Sequence, residues 1–345
     1  MSPSLFSPLA VRGVTFPNRI FVSPMCQYSA VEGVPNDWHL VHLGARSLGV
    51  GAVIAEATAV RPEGRITPGC TGIWSDAQIA PWARITEFIH GQGAVPGIQI
   101  AHAGRKAATS VPWLGGAPLT EGAWPIVAPS AIPFDEGSDT PHELSTDEIA
   151  GLVDSYAAAT RRVKAAGFGF VEIHAAHGYL LNSFLSPLSN RRTDRYADGR
   201  VLLLEVIAAV RSEWSGPLFL RVSASDWVEG GWSIEDTVAL ATVVKEHGID
   251  LLDCSSGGNS PLQKIVLGPG YQVAFAERVR RESGLATGAV GMITSPEQAD
   301  TIIRTGQADI VLLARELLRN PNWALHAAKA LRATPRTPNQ YLRAF

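Results

Sequence analysis

The stretch FGFVEIHAAHGYLL (residues 168–181) passes from an apolar run straight into two histidines three positions apart, a glycine and a tyrosine. A short apolar run with these neighbours fits a strand buried on both faces, and the polar residues then fall where strand gives way to loop. Seven other runs share the pattern. In chain order the eight are RIFVSPM (19–25), AVIAEATAV (52–60), VPGIQIAH (95–102), FVEIH (170–174), LFLRVSAS (218–225), DLLDCSS (250–256), LATGAVG (285–291) and DIVLLAR (309–315). Helical sequence separates them, for example DWHLVHLGARSLG (37–49) and DAQIAPWARITEFIHGQG (76–93). Eight such strands alternating with helices predict an α/β fold, a parallel sheet closed into a (β/α)8 TIM barrel.

Local punctuation supports this registration. Ser145 with Glu148 reads as a capping box, and Ser295, Pro296 and Gln298 supply a cap, an N1 proline and an N3 amide. Helices are predicted to stop at Gly167, Gly248 and Gly284. Regular spacing breaks only over 106–144, rich in Pro, Gly and Trp, which reads as an insertion after the third strand lying over one barrel mouth. The segment before the first strand is expected to cap the opposite end. No linker divides the chain, so residues 1–345 are expected to form a single domain.

Bulk properties restrict the partners. A formal net charge of −3 gives no field to recruit nucleic acid or an anionic membrane, which leaves a small molecule as the expected partner. The three cysteines, Cys26, Cys70 and Cys254, are too dispersed for zinc, an iron–sulfur cluster or a disulfide framework. The opening MSPSLFSPLAVRG lacks a signal core and no apolar run approaches about 18 residues, so the expectation is a soluble cytoplasmic protein.

In a barrel of this kind the chemistry belongs at the C-terminal ends of the strands. Those ends carry SPMCQY, EAT, QIAHAGRK, HAAHGY, RVSAS, CSS, GAVGM and AR. Three readings of His174, His177 and Tyr179 compete. Zinc needs three or four ligands and this pair supplies two, so no metal is expected. Ordinary loop histidines would be solvated or satisfied in the core. At a barrel rim, however, two neutral imidazoles can each donate an N–H to one oxygen while a phenol donates a proton, which suits reduction at a carbon conjugated to a carbonyl or nitro group. GAVGMITSPEQ (288–298) and LLARELLRNP (312–321) suggest a phosphate held after the seventh and eighth strands with Arg315 adding charge, although tight turns also want glycine and Arg315 could be a surface arginine. Cys26 and Tyr28, taken alone, read as a buried hydrophobe and a rim aromatic.

Taken together, NRIFVSPMCQYS (18–29), EATAV (56–60) with GRITPGCTGIWSD (64–76), GIQIAHAGRK (97–106), VEIHAAHGYLLNSFLSPLSNRRTD (171–194), FLRVSASD (219–226), GAVGMITS (288–295) and ARELLRNPNW (314–323) are decisive. Through them the chain resembles the old yellow enzyme family of FMN-dependent ene-reductases, within it the thermophilic-like class, along nearly its whole length. The resemblance implies tightly but non-covalently bound FMN, with NADPH or NADH as reductant. The flavin cradle falls on Ser23, Pro24, Met25, Cys26, Ala57 and Gln99, with Arg221 at the pyrimidine edge, where positive charge stabilises the reduced cofactor. Gly291, Arg315 and the backbone of Ala314 match the phosphate site; the family usually has glycine at 314. His174 and His177 match the pair that holds the substrate's activating oxygen, and Tyr179 matches the proton donor to the α-carbon after hydride reaches the β-carbon. Cys26, which tunes the flavin, and Tyr28 are the class signature, and Tyr28 and Lys106 line the substrate side.

The implied substrates are α,β-unsaturated carbonyl compounds, maleimides and nitroalkenes. In the tail 331–345, NQYLRAF (339–345) matches a segment whose arginine, here Arg343, enters a neighbouring subunit's site, implying a homodimer or a tetramer of paired dimers. One departure stands out: YADGRVLLLEV (196–206) is shorter than in relatives by about four residues, in a surface connection of a kind that tolerates deletion. The competing functions are an FMN barrel acting elsewhere, such as a dienoyl-CoA reductase or a tRNA dihydrouridine synthase, and a flavin-binding sensor without turnover. Dispersed cysteines argue against the first, the net charge against the second, and the retained Tyr179 with both histidines against the third.

Overall fold

A computed structural model of the chain describes residues 3–345. Eight strands form a closed barrel: β1 (Ile20–Val22), β2 (Ala52–Ala59), β3 (Val95–Ala101), β4 (Phe170–Ala175), β5 (Leu218–Ser223), β6 (Leu251–Ser255), β7 (Ala286–Val290) and β8 (Ile310–Leu313). Each pairs in parallel with its neighbours in sequence, and β8 closes on β1. The eight flanking helices are α1 (Asp37–Ala45), α2 (Ile79–Gln92), α3 (Thr146–Ala165), α4 (Arg200–Glu213), α5 (Ile234–Glu246), α6 (Val273–Ser283), α7 (Pro296–Arg304) and α8 (Trp323–Leu331). This is the predicted TIM barrel.

The helices start and stop for the expected reasons. Glu148 N–H donates to Ser145 Oγ at 3.3 Å and Ser145 N–H donates to the Glu148 carboxylate at 2.7 Å, so two N-terminal donors of α3 are satisfied reciprocally. At α7, Ser295 Oγ accepts from Gln298 N–H, while the Gln298 amide oxygen accepts from Thr294 N–H instead of closing a box. Gly167, Gly248 and Gly284 follow their helices in the left-handed region. On α2 the buried residues Trp82, Ile85, Thr86 and Ile89 recur every three or four positions, which turns one stripe toward the sheet.

Packing closes one end of the barrel. A hairpin of Leu9–Val11 and Val14–Phe16 delivers Phe16 against Phe21, Phe170 and Phe219, with ring centroids 4.9–6.2 Å apart. All four rings are fully buried. The N-terminal end is therefore apolar and full, and polar side chains from the strands collect toward the other end. There the excursion after β3 folds over the rim. It holds only a short turn at Pro112–Leu114 and two paired two-residue strands, Val127–Ala128 and His142–Glu143. The loop before α4 is anchored at Tyr196, which is buried with its hydroxyl donating to Glu205 at 3.0 Å. Among the described residues no helix is long and apolar enough to cross a membrane.

Candidate active site at the C-terminal rim

The histidines and the tyrosine that follow β4 converge. The His174 and His177 rings have centroids 5.2 Å apart, and the Tyr179 ring lies 5.1 Å from that of His174. Ala176 N–H donates to His174 Nδ1 at 3.3 Å, which leaves Nε2 as the protonated nitrogen. His177 is held at φ 62°, its N–H donating to Ser223 Oγ and its Nε2 lying 2.7 Å from Ser255 Oγ. Burial, reinforced by the Arg221 charge, pushes both imidazoles well below their ordinary range, so both are neutral at pH 7. Burial drives the Tyr179 phenol well above its usual range and keeps its proton in place.

Why glycine follows His177 is a question of space. Gly178 has φ 75°, and a Cβ there would stand 2.3 Å from Gly258 O. The two backbones touch because Lys106 draws them together: its Nζ donates to His177 O and Gly258 O, each at 2.9 Å. Lys106 thus braces the strained His177 peptide while its ammonium lies 5.3 Å from the Tyr179 ring centroid. Burial lowers its pKa to about 8, with Arg105 adding to the effect. Lys106 and Tyr179 also line a cavity of about 530 Å³ beneath the excursion, with Ile66, Ile126 and Phe134.

The expected flavin cradle is assembled from neighbouring strands. Ala57 and Gln99 are register partners across β2 and β3, and His174 is the partner of Arg221 across β4 and β5. Arg221 Nη1 donates to Ser23 Oγ at 3.1 Å just beyond β1. Pro24, Met25, Cys26 and Tyr28 continue that segment; the Met25 carbonyl accepts from the Gln27 side chain, and Tyr28, at φ 52°, sits edge-on to Trp113. A second cavity of about 300 Å³ is lined by Arg221, Gly291, Ala314, Arg315 and Arg319. Arg221 is paired with Asp253 and Arg319 with Glu316, so Arg315 is the lining arginine with no carboxylate partner among the described residues. That spare guanidinium suits a phosphate. Gly291 has φ 118°, and an added Cβ would meet Gln272 and Tyr271 at 2.8 and 2.9 Å. Ala314 has a negative φ of −108°, outside the left-handed region that favours glycine. The donor set fits FMN: Ser23, Gln99 and Arg221 for the polar edge of the ring and Arg315 for the phosphate.

Some residues are placed apart or were not expected. Arg343 is exposed in the C-terminal tail and lines neither cavity. Glu56, quoted in its motif but given no role, sits at a bulge in β2, where it accepts from Gln27 N–H at 3.2 Å and faces His39 Nε2 at 3.4 Å. Burial, then this carboxylate, raises the Cys26 thiol well above its usual range and keeps it a thiol. Glu172 and Asp253 were likewise unassigned, although an acid inside a doubly buried strand is itself a signal. Among the described residues no three His, Cys, Asp or Glu side chains gather as metal ligands.

Comparison with known proteins gives the family. The sequence model described as the NADH:flavin oxidoreductase / NADH oxidase family matches residues 4–334. The chain is 48% identical to an NADPH dehydrogenase of Geobacillus sp. (strain WCH70) over 352 aligned positions, covering 100% of this chain and 99% of that protein. It is 47% identical to the NADPH dehydrogenase of Bacillus subtilis (strain 168), with 100% of both covered. Its structure superposes on the old yellow enzyme from Trypanosoma cruzi with a TM-score of 0.80 at 27% identity, over 98% of this chain and 95% of the other. Barrel, site and relatives agree: the chain belongs to the NADH:flavin oxidoreductase family, the old yellow enzymes, and is an FMN-dependent NAD(P)H oxidoreductase.

Proposed function

We propose that this enzyme reduces activated alkenes: α,β-unsaturated carbonyl compounds, maleimides and nitroalkenes. The observation that carries this reading is the convergence of two neutral imidazoles and a protonated phenol at the rim. FMN, when bound, would supply the redox chemistry, hydride transfer between NAD(P)H and the alkene's β-carbon. Ser23, Pro24, Met25, Cys26, Ala57, Gln99 and Arg221 would hold the ring, and Gly291, Ala314 and Arg315 the phosphate. His174 and His177 donate N–H groups to the carbonyl or nitro oxygen, stabilising the negative charge that grows there as hydride arrives. Tyr179 then gives its proton to the α-carbon. Tyr28 shapes the substrate side, and Cys26 meets the cofactor as a neutral thiol.

Anaerobic titration tests the proposal. Purified enzyme should be yellow, bleach with one equivalent of NADPH, and recover its colour on adding cyclohexenone or a maleimide. Recovery with oxygen alone would leave a flavin reductase or sensor and end the alkene reading.

The exposed tail supports a second element, in which Arg343 completes the site of a neighbouring copy in a cytoplasmic homodimer or tetramer. Arg343→Ala should then weaken alkene binding without altering FMN content, and sedimentation should show no monomer. A monomeric enzyme with full turnover would exclude it.

A further inference from the structure

Inside the barrel, between the phenylalanine layer and the rim, lies a charged group that the reaction above does not use. Glu172 on β4 and Asp253 on β6 are both fully buried, on either side of Arg221 on β5 in the closed sheet. Arg221 Nε lies 3.3 Å from Asp253 Oδ2, and Gln99 on β3 donates from Nε2 to Glu172 Oε1 at 2.7 Å. The remaining Glu172 oxygen and both Asp253 oxygens have no hydrogen-bond partner, and the Thr287 hydroxyl on β7 is also unsatisfied. The charged groups facing the pair are few: Arg221 beside it, and above it His174, which is neutral. Glu56 on β2 is instead engaged with His39. Two buried carboxylates therefore share one guanidinium, where an uncompensated charge is costly and a proton removes it.

We propose that the Glu172–Asp253 pair binds one proton from water each time the FMN held over Arg221 is reduced, and releases it when the cofactor is reoxidised.

NADPH hands over two electrons and one proton together as hydride. Reduction therefore consumes no proton from water and leaves one extra negative charge on the cofactor. Arg221 then faces three anions instead of two, its attraction for each carboxylate weakens, and the carboxylates' proton affinity rises. The balanced step joins NADPH, FMN, one carboxylate and one proton from water to give NADP⁺, reduced cofactor and a carboxylic acid. In the alkene half-reaction the acid returns its proton to water, so overall stoichiometry is unchanged. The pair is poised for this role. Burial, with the repulsion of Asp253, raises Glu172 well above the ordinary carboxylate range, and burial raises Asp253 despite Arg221. An added anion beside Arg221 moves both further up. The sign follows: reduction is assisted below the pair's affinity in the reduced enzyme, and the assistance fades as pH rises through it.

The inference rests on the placement of FMN over Arg221 and not on the alkene. Holoenzyme in weak buffer at about pH 8.5, mixed anaerobically with stoichiometric NADPH and a pH-indicator dye, should take up close to one proton per FMN reduced. The reduced cofactor's own absorption shows whether its ring has taken the proton instead. Glu172→Gln with Asp253→Asn should abolish uptake and halve the dependence of midpoint potential on pH, from about 60 to about 30 mV per unit, one proton on a two-electron couple being worth 29.6 mV. If the double variant fails to fold, the wild-type measurement decides alone. No uptake between about pH 7 and about pH 9, uptake onto the ring, or uptake persisting in the double variant would overturn proton binding by the pair. The midpoint potential of Arg221→Gln, which removes the charge, tests the placement separately. An unchanged value removes the cofactor from Arg221 and the inference with it; a shifted value without uptake overturns the proton binding alone.

Discussion

Tyr179→Phe is expected to give a yellow, FMN-loaded enzyme that NADPH bleaches at the wild-type rate, while its reoxidation by cyclohexenone slows by about 10²–10⁴-fold. The substitution removes one oxygen and little else. The Tyr179 ring packs beside the apolar patch of Ala103, Ala107, Ala108 and Ile126, contacts that phenylalanine keeps. What is lost is a proton held firmly by burial, which on the proposed reading is released to a far stronger base, the carbanion at the α-carbon. Stopped-flow measurement of the two half-reactions separates the outcomes. Equal slowing of both would indicate a structural fault, and an unchanged second half-reaction would remove Tyr179 from the chemistry.

His177→Ala should cost the alkene half-reaction about 10²–10³-fold, the usual penalty for losing one donor to a developing oxyanion. His177→Asn should stay within about tenfold of wild type. Two properties of the site separate these replacements. The backbone at 177 has φ 62°, where asparagine is far better tolerated than alanine, and an amide N–H can replace the imidazole donor. Lys106 remains bonded to the carbonyl of residue 177 in either variant, which limits loss of local geometry. Since the wild-type ring is neutral, the rate should show no histidine titration between about pH 6 and about pH 8. Matching losses in the two variants would mean that His177 supports the fold of the loop and donates nothing to substrate.

Much of this was legible in the chain because the signals are local. The alternation of apolar runs with helical segments, the Ser145 and Ser295 caps and the terminating glycines all act within a few residues, and each appears where expected. His174, His177 and Tyr179 are neighbours in sequence, so their convergence needed only a strand end to place them. Lys106 was less legible. Its number put it at the rim, but its use as a brace depends on two carbonyls from the loops after β4 and β6. The anchoring of the loop at Tyr196 was not legible either, because it depends on the buried tyrosine finding Glu205 on the helix that follows.

From the order of residues alone came the barrel, the rim that carries chemistry, and the family with its flavin. Period and turn chemistry are short-range properties, and seven spaced motifs leave little freedom in how they can be joined. Only the folded barrel decided which charges are shared. Glu172, Arg221 and Asp253 lie on three separate strands, and it is closure of the sheet that buries them together. The upward shift of both carboxyl groups follows from that burial, a property of the enclosed volume that no single strand possesses.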